Sequence, residues 1–247
     1  MDAGWEDTGW EDITSGVARR RLPRWDATTG AIAGPDGVLV VDTGATLREG
    51  AGIRRAVQAR FGRPVTHVAL THGHFDHVLG TAAFAGVRVY GAEGLEVLLA
   101  ARSPGREALR ASAVQHGVSL REAAEAADVV VAPRQAVTGE LTVSLGGDRQ
   151  VLLAGLGPAH SEHDLAVLVP GSGPGDPAVV FCGDLVEESG RPQAGPDTHP
   201  ARWPAALDRL LELGGEDARY VPGHGATVDA AFVRRQRDEL ALRFRSA

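Results

Sequence analysis

Hydrophobic positions in this chain come in short runs cut by glycine and proline. Runs at residues 17–22, 28–33 and 38–41 are separated by Pro23 and by Gly34-Pro35-Asp36-Gly37, which predicts an antiparallel meander. The pattern then changes period. Residues 47–61 alternate apolar and charged side chains at helical spacing and stop at Gly62. Pro64 opens an apolar run over 65–70 that reads as a buried strand; a short helix over 78–84 and a strand over 87–90 follow. The block 92–127 is the most helical: a helix over 92–101, a second starting at Ser103-Pro104 and stopping at Gly117, and a third opened by Ser119-Leu120-Arg121-Glu122. Serine caps the first free backbone N–H groups, and proline at the first helical position costs no hydrogen bond. Strands resume at 129–131, 141–145, 151–154 and 178–182, with Gly146-Gly147-Asp148 as a hairpin turn. A helix over 203–213, a strand over 219–221 and a charged helix over 229–245 close the chain.

No linker interrupts this series, so residues 13–247 are expected to form one domain. Residues 1–12 carry Gly-Trp-Glu-Asp twice, an acidic duplication expected to be a disordered or loosely packed tail.

Chemistry concentrates where strands end. Directly after the 65–70 run comes Thr71-His72-Gly73-His74-Phe75-Asp76-His77. On a tight loop His72 and His74 can point to one centre while Asp76 and His77 turn to another. No structural element needs that density of imidazole and carboxylate, the ligand types that suit Zn²⁺ where thiolate is scarce. Three later turns share one format, with a buried strand followed by small residues and one metal-competent side chain: His160, Asp184 and His224. Each is weak alone. Together with the first loop they supply enough donors for two ions, each with an open position. Asp42, at the tip of the 38–41 strand, either orients a ligand histidine or makes an Asx-type turn. His67 reads as a structural histidine within its strand, and His116 as a surface residue. His163, in Ser161-Glu162-His163-Asp164, and His199, in the irregular stretch 186–200, are candidate substrate contacts.

Composition narrows the classes. A formal net charge of −7 argues against a nucleic-acid partner. All basic residues are arginine, so no lysine chemistry is available. The single cysteine, Cys182, cannot form an internal disulfide and reads as a small hydrophobe in its strand. No run reaches membrane-spanning length, and the expectation is a cytoplasmic protein acting on a small molecule, its oligomeric state open.

The ordered set Asp42, His72-x-His74-x-Asp76-His77, His160, Asp184 and His224 resembles the metallo-β-lactamase superfamily. The resemblance implies a four-layer αββα sandwich, two mixed β-sheets face to face with helices outside and metals at one edge, its halves dividing near residues 128–140. By position it implies that His72, His74 and His160 hold one zinc, that Asp76, His77 and His224 hold a second, that Asp184 bridges them and that Asp42 stands behind the ligands. Two Zn²⁺ ions held so (iron or manganese being the alternatives) would lower the pKa of a bound water towards about 7 and polarise the attacked carbonyl or phosphoryl oxygen. Asp76 would be ligand and proton acceptor. The activity implied is hydrolysis of a small-molecule ester, thioester, lactone or amide. An iron-dependent oxidoreductase of the persulfide dioxygenase kind, or a β-lactamase-active member, is the alternative. Metal content and oxygen consumption discriminate them.

Overall fold

The computed structural model describes residues 9–173 and 175–245. Twelve strands among these residues form two sheets. The first holds β1 (Trp10–Thr14), β2 (Val17–Arg21), β3 (Thr28–Gly34), β4 (Gly37–Val41), β5 (Val65–Ala69), β6 (Arg88–Ala92) and β7 (Gln135–Val137), side by side in chain order. The meander β1–β4 is antiparallel; β4 to β7 run parallel. The second sheet runs β12 (Arg219–His224), β11 (Val179–Glu187), β10 (Leu165–Val169), β9 (Gln150–Gly155), β8 (Glu140–Ser144), parallel only between β11 and β12. The chain passes from one sheet to the other between Val137 and Glu140.

Strict alternation explains why the sheets stack. In β4, Leu39 and Val41 face the second sheet while Val38 and Val40 face helices; in β11, Val179 and Phe181 face inward while Val180 and Cys182 face outward. A period of two on strands buried on both faces demands covering layers on each side. Helices α1 (Leu47–Phe61), α2 (Phe75–Val78), α3 (Leu95–Leu98), α4 (Pro104–Gln115) and α5 (Leu120–Val129) supply one; α6 (Trp203–Gly214) and α7 (Ala230–Arg243) supply the other. The result is a four-layer αββα sandwich of the expected kind. Thr46, Ser103, Ser119 and Asp229 cap α1, α4, α5 and α7 through their side-chain oxygens. No described helix is long and apolar enough to cross a membrane.

The structure corrects several boundaries. Residues 10–12 belong to β1, with Trp10 buried, and not to a loose tail; residues 1–8 lie outside those described. The β-branched run at 129–131 is not a strand. Val129 ends α5, and Arg106 claims the carbonyls of Ala127, Asp128 and Val130 that a ladder would need. The next strand is β7, further on. The helix expected over 92–101 shrinks to α3, since Gly91 and Ala92 pair with β7. The helix expected over 78–84 is two pieces, α2 and a 3₁₀ turn at Thr81–Phe84, parted at Gly80, which packs on the Thr43 carbonyl and on Gly50. The strand expected to stop at 182 continues through Asp184 to Glu187, with a register shift at Gly183.

Candidate metal centre

Four backbone segments meet at the edge where β4 and β5 end. After β5 the chain turns through residues 70–74 into α2, presenting His72 and His74 before the helix and Asp76 and His77 within its single turn. The loop between β9 and β10 carries His160, β11 carries Asp184 at its irregularity, and His224 ends β12. The donor atoms of His72, His74, His160 and Asp184 lie within 4.8 Å of one another, as do those of Asp76, His77 and His224.

Asp184 reaches both groups. Its Oδ2 lies 3.6 Å from His72 Nε2, 3.5 Å from His160 Nε2 and 3.3 Å from His224 Nε2, and its Oδ1 lies 3.3 Å from His77 Nε2. Asp76 Oδ2 is 3.4 Å from His224 Nε2 and 3.7 Å from His77 Nε2. Gly223 leaves the room Asp184 needs, because a Cβ there would collide with Oδ1.

Outer contacts fix which nitrogen each imidazole turns inward. Asp42 accepts from Thr71 N at 2.8 Å, from Thr71 Oγ1 at 2.7 Å and from His77 Nδ1 at 2.9 Å. Thr71 Oγ1, its hydrogen directed to Asp42, accepts from His72 Nδ1 at 3.0 Å. His224 Nδ1 donates to the Trp25 carbonyl at 2.8 Å. In each ring, once neutral, Nε2 is therefore the nitrogen left with its lone pair facing the centre. His74 is the exception: its Nε2 donates to Asp197 Oδ2 at 3.1 Å, and its Nδ1 faces His160 Nε2 at 3.2 Å. Asp42 holds its place at a φ of 58°, left-handed backbone that aspartate tolerates better than most residues.

Burial, then the nearby His77, push His72 well below its ordinary pKa, and burial takes His160 down to about 4. Burial also opposes charge on His77 and His224, but Asp184 and Asp76 outweigh it. His77 is raised well above the usual value and His224 up to about 9. Burial would raise the Asp184 carboxyl, yet His224, His77 and His72 drive it well below the usual range.

His72 Nε2, His77 Nε2 and Asp184 Oδ1 are buried and have no hydrogen-bond partner. Native proteins seldom leave such atoms orphaned, so a cluster of them aimed at one space fits a cation. Donor spacings of 3.3–3.7 Å also match the edge of a tetrahedron with bonds of about 2.1 Å, roughly 3.4 Å. The donor set fits one or two divalent ions.

Other predicted residues fall outside the cluster. His163 packs over the Gly94 backbone at the start of α3, and His199 Nε2 pairs with Glu162 at 2.7 Å. His67 bonds Thr66 Oγ1 and stacks on Tyr90. His116 stacks on Phe75 and its carbonyl accepts from Trp25 Nε1 at 3.1 Å. Arg24 reaches the Gly117 carbonyl at 2.6 Å. The 92–127 block is thus packed wall, with Leu109, Ala113, Ala123 and Ala126 in the core, rather than a detached lid. Sequence reading missed Thr71 and Asp197: a threonine before the motif and an aspartate in a Gly-Pro-Asp-Thr turn carry no distinguishing local signal. A cavity of about 520 Å³ lies among turns at 15–16, 33–35, 148–150 and 170–172, away from this centre.

Residues 22–224 match the family described as "Metallo-beta-lactamase superfamily". Among solved structures, the chain is similar to the metallo-beta-lactamase FIM-1 from Pseudomonas aeruginosa in its mono-zinc form, at 20% identity, TM-score 0.68 and 96% coverage of each chain. It is equally similar to a metallo-beta-lactamase from Pontibacter korlensis, at 20% identity, TM-score 0.68, 94% of this chain and 97% of that one. A third, a metallo-beta-lactamase from Erythrobacter litoralis with beta-mercaptoethanol in its active site, shares 16% identity at TM-score 0.68, 95% of this chain and 96% of the other.

Proposed function

The chain belongs to the metallo-beta-lactamase superfamily, and from that premise we propose that it is a metal-dependent hydrolase of a small-molecule ester, thioester, lactone or amide. His72, His74 and His160 would hold one ion, Asp76, His77 and His224 a second, with Asp184 shared; zinc suits this nitrogen-and-oxygen set. When bound, such a pair lowers the pKa of water towards about 7 and polarises the attacked carbonyl oxygen.

The chain's own residues do the rest. Asp42 and Thr71 keep His77 and His72 in the tautomer that offers Nε2. Trp25 does the same for His224 through its carbonyl. Asp76, whose Oδ2 faces the second group, is the proposed acceptor of the proton lost by the attacking water. Phe75, between His74 and Asp76 in the chain, packs edge-on against Trp25 and face-on against His116.

The observation that carries this reading is the single Asp184 carboxylate lying against imidazoles of both groups. Elemental analysis of purified protein, joined to a substrate panel of β-lactams, thioesters, lactones and phosphodiesters, tests it. Two zinc per chain and turnover of one class, lost in His74→Ala and in Asp184→Ala, is the expected outcome. Undiminished turnover in either variant would refute the assignment; one iron with oxygen consumption would point to the oxidoreductase.

A further inference from the structure

The stretch after β11 reads as featureless loop, yet residues 195–199 are laced to the centre. Thr198 Oγ1 donates to the His160 carbonyl at 2.8 Å and accepts from Gly195 N at 2.9 Å. His199 N donates to the Ala159 carbonyl at 2.8 Å, and the His199 ring pairs with Glu162. Asp197 Oδ2 meets His74 Nε2 at 3.1 Å. One short turn thus grips both the His160 loop and the His74 ring, which arrive from different sheets.

We propose that Asp197 is a positioning residue for the metal centre, fixing His74 as the tautomer that carries its proton on Nε2 and presents Nδ1 to the ion. The inference rests on the reading of the centre given above. An ionised carboxylate only accepts, so the proton of this contact must sit on Nε2. The remaining lone pair then lies on Nδ1, the nitrogen 3.2 Å from His160 Nε2. Free imidazole carries its proton on either nitrogen, and without Asp197 the other tautomer would close Nδ1 to a metal. The contact is also the one outer partner that lies on the rim: the two side chains are 31% and 38% exposed, whereas the Asp42–His77 pair is almost wholly buried. Water competes at His74 as it cannot at His77, so orientation there depends on the carboxylate.

The test uses the full chain stripped of metal and titrated with zinc against a chromophoric chelator. Nitrogen-15 NMR of histidine-labelled, metal-free protein reports the His74 tautomer independently. Asp197→Ala should weaken zinc binding by about 10–100-fold and shift His74 from one tautomer to a mixture. Asp197→Asn, which can still accept at its amide oxygen, should recover part of both. Thr198→Ala cuts the loop's hold on the His160 carbonyl and should leave the His74 tautomer as it is. Wild-type affinity with an unchanged tautomer in Asp197→Ala overturns the inference while leaving the metal centre standing. A wild-type protein that takes up no zinc sinks both.

Discussion

Of the five imidazoles at the centre, four have their outer nitrogen engaged, by Thr71, Asp197, Asp42 and the Trp25 carbonyl. His160 Nδ1 is buried without a hydrogen-bond partner and its ring is instead set edge-on against Trp203 at 5.2 Å. Packing orients that ring where hydrogen bonding orients the others. The raised pKa values of His77 and His224 make a pH-dependent prediction with opposite slopes. Without metal, a histidine held above its unfolded value stabilises the fold fully below about pH 6.5 and loses that contribution as pH climbs through the folded value. For His224 that loss runs upward from the unfolded value and is nearly complete by about pH 9. Metal must displace the same protons, so zinc affinity should rise from pH 6.5 to 9 while the melting temperature of the metal-free protein falls. Chelator competition and thermal melts across that range check both. A flat affinity profile would contradict it. The ligand types were legible in the sequence because six consecutive positions held four of them. Of their outer partners Asp42 was a candidate from its place at a strand tip, though not which ring it holds, 35 positions away; Asp197, 123 positions from His74, left no trace.

Elements were most legible where a cap and a period agreed. The bounds of α1, from Leu47 to Phe61, follow from Thr46 at one end and a left-handed Gly62 at the other. They were least legible at 129–131, where β-branched residues argued for a strand and a distant side chain prevented it. Arg106, on α4, donates to the carbonyls of Leu99, Ala127, Asp128 and Val130 at 2.7–3.3 Å. It ties the end of α3, α4 and the end of α5 together. Charged hydrogen bonds of this kind contribute about 1.5–3 kcal/mol, and Arg106→Ala should lower stability in urea by that order. Arg106→Lys should recover little, since an ammonium cannot reproduce the planar fork. A variant as stable as wild type would show that the clamp is dispensable.

At the scale of the whole molecule, the centre exists because two sheets are stacked in one register. Phe181 of β11 fills the space over Gly30 of β3, where a Cβ would collide with its ring. Phe181→Ala should cost about 3–5 kcal/mol in the metal-free protein, and it should weaken zinc binding as well, since His160 and Asp184 ride on one sheet and His72 to His77 on the other. Urea unfolding and metal titration of the same variant measure both; a loss of stability with zinc affinity intact would uncouple packing from the site. By itself the sequence determined the alternation of strands and helices and the side chains offered at strand ends, because these are written in spacings of two to four residues; the αββα class followed from the family resemblance those side chains carry. Only the tertiary structure decided which nitrogen each ring turns inward, that the helical block is wall, and that Asp197 belongs to the centre. Those are contacts between segments far apart in the chain, set by how layers pack, and no local spacing encodes them.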